Sequence, residues 1–327
     1  MPDTAPGAPA LDLSIVVVAH NMARELPRTL TSLSHAYQRD LGDLAYEVLV
    51  MDNGSDKAIS ASSVSAIDPC FRLHRIDDAP PSPAFACNSG VAMTSGRTVA
   101  IIVDGARLVT PGALSQGMRA LATHPRAIVT ALAWHLGPAH QSVSTLSGYG
   151  PAAEDALLAT IGWPEDGYRL FDICTLAGAN PGGFLGSVTE SCFLMVPREL
   201  WDEVGGVDDA FNAPGGGLAA LDLFTRLISL PETQPTILLG EGSFHQVHGG
   251  ATTAPGVDLA PLFAQYEDIR GTPYAAPTFA PTYFGRMADA SRRWLNGAPQ
   301  PEARRSPRRL PGVARRFAGR VRRRLKR

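Results

Sequence analysis

The sequence predicts an α/β fold in which helices cover both faces of a mostly parallel central sheet. Three observations support this class. Apolar segments rich in β-branched residues recur through the first hundred residues, segments with helical spacing separate them, and a polar cluster directly follows three of the strands. Strands and helices that alternate in units of this length are typical of Rossmann-like parallel sheets. The chain of 327 residues is long enough to bury a substantial core.

The first two strands and the helix between them follow from local patterns. Residues 13–19 form an apolar run without alternation, as expected for a central parallel strand that is buried on both faces. A second strand over 46–51 ends at an Asp-Asn-Gly-Ser turn cluster. Between the two strands, apolar residues recur on one face of a predicted helix, at Leu26, Leu30, Leu33 and Tyr37.

The later elements become less regular toward the C-terminus. A third strand over 71–76, a helix that begins at Ser82-Pro83 and a fourth strand over 98–103 continue the pattern. Residues 137–186 are rich in Gly, Pro and Ala, and their pattern assigns no element. The other expected elements are helices at 111–124, from Pro197 onward and at 218–230, and strands at 127–134, 187–196 and 236–239.

Polar residues follow three strands whose carboxyl ends should meet at one edge of the sheet, at positions 19–21, 52–53 and 104–105. Ligands of such sheets bind outside the carboxyl ends of the strands. Asp104 follows four apolar residues, where a carboxylate is costly unless it faces a ligand, a metal or water. Asp52 either accepts hydrogen bonds from a base or ribose, or belongs to ordinary turn chemistry.

Composition excludes several classes of protein. Hydrophobic residues make up 45% and charged residues 18% of the chain, which suits a soluble globular enzyme. No apolar run approaches the ~20 residues of a transmembrane helix, and the N-terminus lacks the basic cluster of a secretory signal. The four cysteines form no C-x-x-C pair, so we expect buried thiols in a reducing compartment rather than a zinc site or a disulfide framework.

The charge is distributed unevenly. Residues 303–327 hold 12 of the 29 basic residues and no acidic ones, so the rest of the chain carries 17 basic against 31 acidic residues. Within this segment, Val313, Phe317, Val321 and Leu325 recur at helical spacing among arginines. The pattern predicts a basic amphipathic helix on an anionic membrane surface, and a solvated tail is the alternative. We do not expect nucleic acid as a partner.

The strand-end motifs together resemble family 2 glycosyltransferases of the GT-A fold. The resemblance rests on their order and spacing, and it covers roughly residues 12–250. The segments that carry it are SIVVVAHN at 14–21, VLVMDNGS at 48–55, VAIIVDGA at 99–106 and VGGVDDAF at 204–211. The resemblance implies transfer of a sugar from a nucleoside-diphosphate sugar to an acceptor hydroxyl. It further implies that the donor site comprises Ala19, His20, Asn21, Asp52, Asn53, Asn88, Asp104 and Gly105.

The sequence departs from the family at the metal-binding motif. Asp104 matches the first acid of the D-x-D motif, but Ala106 stands where the second acid usually binds the ion. Losing a carboxylate weakens a site for a hard cation such as Mn²⁺ or Mg²⁺. Arg107 is expected to supply charge instead, or else to be a surface arginine. His245 and His248 should point to opposite faces of an extended segment, so we expect Asp104 and His248 to hold the ion.

The second departure concerns the catalytic base. The acidic pair usual in inverting members corresponds to Ala219 and Ala220, and Asp222 matches the later aspartate of that motif. Asp222 is therefore a catalytic candidate that could equally serve its helix. Glu190, at the start of a predicted strand, is the substitute base, and an ordinary strand-edge carboxylate is the alternative.

Taken together, the sequence predicts a cytoplasmic glycosyltransferase, peripheral on the inner face of the plasma membrane, that acts in polysaccharide or cell-envelope glycan synthesis on a glycan or lipid-linked acceptor. A catalytically silent GT-A scaffold that binds a glycan or a partner is the alternative. The expected organisation is a disordered N-terminus (1–11), a nucleotide-sugar-binding half (12–110), an acceptor-binding half (111–255), a helical C-terminal extension (256–300) and the basic tail (301–327).

Overall fold

The structure is a computed structural model that describes residues 11–190, 192–250, 254 and 256–298. The predicted disordered N-terminus, apart from residue 11, and the basic tail lie outside the described residues. In the part of the chain that is described, no helix combines the length and the apolar character needed to cross a membrane.

The described residues form ten strands and nine α-helices. The strands are β1 (Leu13–Ala19), β2 (Tyr46–Asp52), β3 (Phe71–Arg75), β4 (Thr98–Ile102), β5 (Arg107–Val109), β6 (Ala127–Leu136), β7 (Cys174–Leu176), β8 (Leu194–Pro197), β9 (Gln234–His245) and β10 (Thr282–Gly285). The helices are α1 (Leu26–Leu33), α2 (Ala61–Ser65), α3 (Ala84–Ala92), α4 (Ala113–Leu121), α5 (Gln141–Ser144), α6 (Pro151–Thr160), α7 (Arg198–Val204), α8 (Ala219–Ser229) and α9 (Ala260–Arg270).

The strands form one mixed sheet in the order β10-β9-β6-β8-β4-β1-β2-β3, with β5 paired to β9 and β7 paired to β6. The four strands at the N-terminal side are parallel, and β8 is antiparallel between β4 and β6. The expected α/β class with a mostly parallel sheet is therefore confirmed.

Strand β1 shows why its sequence lacks alternation. Val16 and Val18 pack into a hydrophobic cluster on one face of the sheet with residues of α3. Ile15 and Val17 pack into a second cluster on the other face with residues of α1 and α4. Since both faces are covered, every residue of β1 is buried, as the apolar run predicted.

The register places the predicted strand ends side by side. Ala19 at the end of β1 pairs with Asp52 at the end of β2, and Val17 pairs with Ile102 at the end of β4. The residues that follow these strands therefore share the carboxyl edge of the sheet.

Two later elements differ from the sequence expectation. The strand expected over 187–196 is limited to β8, and the strand expected over 236–239 extends over all twelve residues of β9. The C-terminal extension is helical only in part, because β10 adds a parallel edge strand beside β9. Prolines at 273, 277 and 281 precede this strand and hid it from pattern analysis.

A buried carboxylate lies inside β9, four residues before the end of the strand. Glu241 accepts hydrogen bonds from the hydroxyl of Tyr168 at 2.9 Å and from the hydroxyl of Thr110. Burial raises the pKa of Glu241 from its ordinary value of 4.5 to about 7, and the hydrogen bonds offset only part of this effect. The folded protein therefore binds a proton at Glu241 that the unfolded chain has already lost between pH 4.5 and 7.

We predict that Glu241→Gln flattens the pH dependence of stability. In the wild type, the contribution of Glu241 to the free energy of unfolding falls as pH rises from 4.5 to 7. Since one pKa unit corresponds to about 1.4 kcal/mol, the decrease is at most roughly 3 kcal/mol. Chemical denaturation across this range measures the slope. Glu165→Gln, at an exposed position, is the matched control and should keep the wild-type profile. An unchanged slope in Glu241→Gln would contradict the prediction.

Candidate active site at the carboxyl edge of the sheet

A cavity of about 710 Å³ opens at the carboxyl edge of the sheet, where the sequence placed the ligand. Its wall includes residues that follow β1, β2, β3, β4 and β9. The predicted site residues that line it are His20, Asn21, Asn53, Asp104, Arg107 and His248.

Asp104 lies at the centre of the polar contacts in this cavity. Its Oδ1 atom accepts a hydrogen bond from the backbone N–H of Ala106 at 3.0 Å. Its Oδ2 atom lies 2.6 Å from Nε2 of His245 and 3.1 Å from Nε2 of His248. The two Nε2 atoms are 2.9 Å apart. One carboxylate and two imidazoles thus converge on one point.

The expectation that only His248 reaches Asp104 is wrong, because both histidines do. His245 is the last residue of β9, and the regular strand ends there, although the N–H of Gln246 still donates to the carbonyl of Ala106 at 2.8 Å. The two imidazoles therefore do not follow the alternation of an extended strand. His245 approaches Asp104 because β5, which pairs Arg107 with His245, carries the chain from the end of β4 to β9.

The charges of this cluster are strongly coupled. Burial opposes ionisation of Asp104, but the two imidazoles outweigh it and hold the pKa of Asp104 well below its ordinary value. Burial lowers the pKa of His245 to about 4, although Asp104 acts in the opposite direction. At neutral pH, Asp104 is an anion and His245 is a neutral imidazole, and both are then electron-pair donors.

Burial of the side chain at position 106 explains why the second acid of the D-x-D motif does not fit there. Ala106 is fully buried, and its side chain belongs to the hydrophobic cluster that contains Val109 and Ala113. A carboxylate at this position would lie in the core without a partner. Successive residues of an extended segment point to opposite sides, and Arg107 lines the cavity. Its positive charge is held close to Asp104, Glu190 and Cys192, and the pKa of Arg107 is raised although its burial acts against this.

The ligand atoms of Asp104, His245 and His248 all lie within 4.8 Å of one another, which fits a divalent cation. Two imidazoles with one carboxylate suit Mn²⁺ and the later transition-metal cations better than Mg²⁺, which prefers oxygen ligands alone. The predicted metal pair Asp104 and His248 is thus joined by His245.

A second polar group lines the cavity near β1 and β2. Nδ1 of His20 lies 2.9 Å from the carbonyl oxygen of Asn53, and the side-chain amide of Asn21 contacts Asp56. The amide nitrogen of Asn53 donates to the carbonyl of Pro80, while its buried Oδ1 atom has no hydrogen-bond partner among the described residues. The wall of the cavity therefore contains a buried acceptor that no described residue satisfies.

Asp77 also lines the cavity, and sequence reasoning missed it. It lies just after β3 and forms an ion pair of 2.8 Å with Arg75. The position of Asp77 after the end of a parallel strand could have identified it, since the same signal identified Asp52 and Asp104.

Asp52 and Asn88, expected to contact the donor, are not among the described residues that line the cavity. The carboxylate of Asp52 is fully buried, accepts the N–H of Ser55 at 3.0 Å and pairs with Arg75 at 2.7 Å. The turn-chemistry alternative therefore describes Asp52. The amide of Asn88 donates to the carbonyl of Val207 at 2.7 Å and accepts the N–H of Val207 at 3.0 Å, so it fastens the 204–211 segment to α3.

Asp222 is also a structural residue. Its carboxylate is buried in α8 and pairs with Arg226 at 2.7 Å and with Arg270 at 2.6 Å. Both oxygens are occupied by these two guanidinium groups, so the catalytic assignment of Asp222 is corrected to a clamp between α8 and α9.

Ala19 and Gly105 support the cavity from behind rather than line it. The buried Ala19 accepts the N–H of Asn53 through its carbonyl at 2.8 Å. A Cβ atom on Gly105 would lie 3.0 Å from the Cβ atom of Ala19, so a larger residue would crowd the turn after β4.

The loop that carries His248 is held by a buried glutamate. Glu154 of α6 is fully buried, and its Oε2 atom accepts the N–H of Val247 at 2.7 Å. Arg24 pairs with the other oxygen of Glu154 at 3.1 Å and donates to the carbonyl of Val247 at 3.4 Å. Sequence reasoning missed Glu154, because nothing local to 137–186 indicates a partner about ninety residues away.

Comparison with known families gives one match. Residues 14–140 match the family model Glycosyl transferase family 2. The matched part contains Asp104 and Arg107, and it ends before the two histidines. The resemblance inferred from the motifs is therefore confirmed. No curated protein matches the sequence.

A solved structure of TarS from S. aureus has a similar fold. TarS 1–349 in complex with UDP-GlcNAc aligns with a TM-score of 0.51 and 11% identity, over 79% of this chain and 65% of that chain. A second TarS structure aligns with a TM-score of 0.47 and 10% identity, over 79% of this chain and 39% of that chain. The chain thus spans about two fifths of the longer TarS chain. At this identity the likeness concerns the fold alone.

We predict that Glu154→Ala weakens Mn²⁺ binding at the Asp104 cluster by roughly 10–100-fold, the usual cost of losing a residue that positions a metal ligand. The N–H of Val247 would lose its acceptor, and the loop of His248 would lose its fixed position. Electron paramagnetic resonance of free Mn²⁺ measures the affinity. Asp155→Ala is the matched control, because Asp155 also pairs with Arg24 but is half-exposed, whereas the N–H of Val247 donates to Glu154. Equal affinities of the two variants would refute the positioning role of Glu154.

Proposed function

We propose that this chain, whose residues 14–140 match the glycosyl transferase family 2 model, transfers a sugar from a nucleoside-diphosphate sugar to an acceptor hydroxyl. The observation that carries the proposal is the convergence of Asp104, His245, His248 and Arg107 in one cavity at the carboxyl edge of the sheet. A donor of this class needs a cavity of several hundred Å³ and positive charge for its diphosphate.

The nucleoside end of the donor is assigned to the group around His20, Asn21 and Asn53. Asn53 lines the cavity, and a small rotation of its side chain would let the unpartnered Oδ1 atom accept a hydrogen bond from a base or a ribose hydroxyl. Asp77 offers further acceptors on the same wall. TarS 1–349 binds UDP-GlcNAc on a similar fold, and we therefore take a UDP-sugar as the first donor to test.

The diphosphate is assigned to the other polar group of the cavity. Asp104, His245 and His248 would hold a divalent cation, which when bound supplies positive charge for the leaving diphosphate. Arg107 adds a permanent positive charge beside them, and its guanidinium can bind two phosphate oxygens. Arg107 thus supplies part of the positive charge that, in the family, comes from a cation held by two acidic residues.

Glu190 is the proposed catalytic base. Burial raises the pKa of Glu190, although the positive charge of Arg107 acts in the opposite direction. A carboxylate with a raised pKa is a stronger base than an exposed one. In the proposed step, Glu190 takes the proton of the acceptor hydroxyl, the acceptor oxygen bonds to the anomeric carbon, and the bond from that carbon to the diphosphate breaks. The nucleoside diphosphate leaves with the electron pair.

A catalytically silent scaffold is the second candidate function. It is favoured by Ala106, Ala219 and the occupied carboxylate of Asp222, since at each of these positions no carboxylate is free to bind a metal or to act as a base.

For the active enzyme, we propose a glycan or lipid-linked acceptor of polysaccharide or cell-envelope synthesis, as the sequence predicted.

We predict that the protein consumes a UDP- or GDP-sugar in a Mn²⁺-dependent manner and that Asp104→Asn lowers the rate at least about 100-fold. The variant loses the anionic ligand of the cluster. Release of nucleoside diphosphate measures the rate, and calorimetry measures nucleotide binding. Asp43→Asn, exposed before the start of β2, is the matched control. Nucleotide binding without turnover would favour the scaffold, and absence of any nucleotide binding would exclude the transferase.

We predict that Glu190→Gln lowers kcat by about 10²–10⁴-fold, as expected for loss of a general base, and leaves the donor affinity unchanged. The amide cannot take the proton of the acceptor. Steady-state kinetics and donor calorimetry separate these two effects, and Glu190→Asp should restore part of the rate. Wild-type kcat in Glu190→Gln would assign the base elsewhere while leaving the transfer reaction intact.

A further inference from the structure

A cluster of three different ligand types lies at the opposite edge of the sheet from the cavity. His35 follows the end of α1, and Asp68 and Cys70 precede β3. The carbonyl of Cys70 accepts the N–H of Val48 near the start of β2, which places the cluster at the amino ends of these strands. The seven residues of β2 span roughly 20 Å, so the cluster is remote from Asp104.

The side chains of this cluster are already oriented toward one another. Nδ1 of His35 lies 2.9 Å from Oδ2 of Asp68 and 4.0 Å from Sγ of Cys70. The three ligand atoms all lie within 4.8 Å of one another. In a tetrahedral zinc site with bonds of about 2.0–2.3 Å, such ligand atoms are about 3.3–3.7 Å apart. Small side-chain rotations therefore convert this arrangement into a metal site.

The backbone and one aromatic ring fix these ligands. Oδ2 of Asp68 accepts the N–H of His35 at 2.9 Å, and Oδ1 accepts the N–H of Cys70 at 3.2 Å. The imidazole stacks on Tyr46 with ring centroids 4.5 Å apart. Contacts of this kind orient metal ligands and reduce the entropy lost on binding.

We propose that His35, Asp68 and Cys70 bind a borderline divalent cation such as Zn²⁺, with water in the fourth position. The side chain of His35 is 51% exposed, so solvent reaches the site. Thiolate and imidazole ligands select such cations over Mg²⁺ and Mn²⁺. Binding releases the thiol proton of Cys70 to solvent and requires the neutral imidazole to carry its proton on Nε2. The bound ion joins the end of α1 to the start of β3.

This site differs from what the sequence indicated. The absence of a C-x-x-C pair argued against zinc, but that rule concerns sites made of neighbouring cysteines. Here one thiol meets a histidine that lies 35 positions earlier in the chain. Burial raises the pKa of the Cys70 thiol, and Asp68 raises it further, which disfavours a free reactive thiolate.

Titration of the full, chelator-treated chain with Co²⁺ tests the site, because a thiolate ligand gives cobalt a charge-transfer absorption band. We expect Co²⁺ to produce the band once both metal clusters are filled, and Zn²⁺ to abolish it. Cys70→Ser should lose the band. Asp104→Asn and Cys192→Ser should keep it, since they alter the cavity side of the sheet only. Absence of the band in the wild type, or its persistence in Cys70→Ser, would overturn the proposal.

Thermal unfolding gives a second readout that does not depend on spectroscopy. Zn²⁺ should raise the melting temperature of Asp104→Asn, whose cavity cluster is impaired, because an ion bound only to the folded state stabilises it. The same shift should be absent when Asp104→Asn is combined with His35→Gln, which replaces an exposed ligand and leaves the thiol in place. Equal shifts in both proteins would assign zinc binding to another site and overturn the proposal. Neither readout requires transferase activity.

Discussion

The structure of the site depends on how the negative charge of Asp104 is stabilised at the end of β4. Asp104 lies where the main chain leaves the sheet, and a charge in this environment is costly without partners. Its partners are the N–H of Ala106 and the imidazoles of His245 and His248. Strands β4 and β9 are not neighbours in the sheet, so these contacts require β5 to carry the chain across. The contacts that stabilise the charge of Asp104 therefore depend on the path that the backbone takes around the cavity.

The same path explains why the usual metal motif is altered. The two residues after Gly105 point to opposite sides, so Ala106 enters the core and Arg107 faces the cavity. An acid at 106 would need a buried partner that this core does not provide. His245, at the end of β9, brings a neutral ligand from another strand instead. The net charge of the site thus becomes more positive, which favours a diphosphate whether or not catalysis follows.

Patterns local in sequence predicted the strands and their ends well, because burial on both faces leaves a direct trace in β1, β2 and β4. The roles of individual polar residues were harder to predict, since their partners are distant in the chain. Asp52 is occupied by Arg75, and Asp222 is occupied by Arg270. Likewise, the segment after β9 that carries His248 is held by contacts with Ala106 and Glu154, which are distant in the chain. Sequence spacing alone contains none of this information.

The position of His248 depends on a second buried carboxylate behind it. Glu154 accepts the N–H of Val247, and Arg24, just before α1, forms an ion pair with Glu154. Burial raises the pKa of Glu154 to about 7, so at neutral pH the protonated form of this acid is well populated even beside an arginine. The hydrogen bond to Val247 can form in either protonation state, because the carboxyl group keeps an acceptor oxygen in both. Helix α6 therefore positions the loop of His248 through a hydrogen bond more than through charge. The charge at the cavity remains that of Asp104 and Arg107.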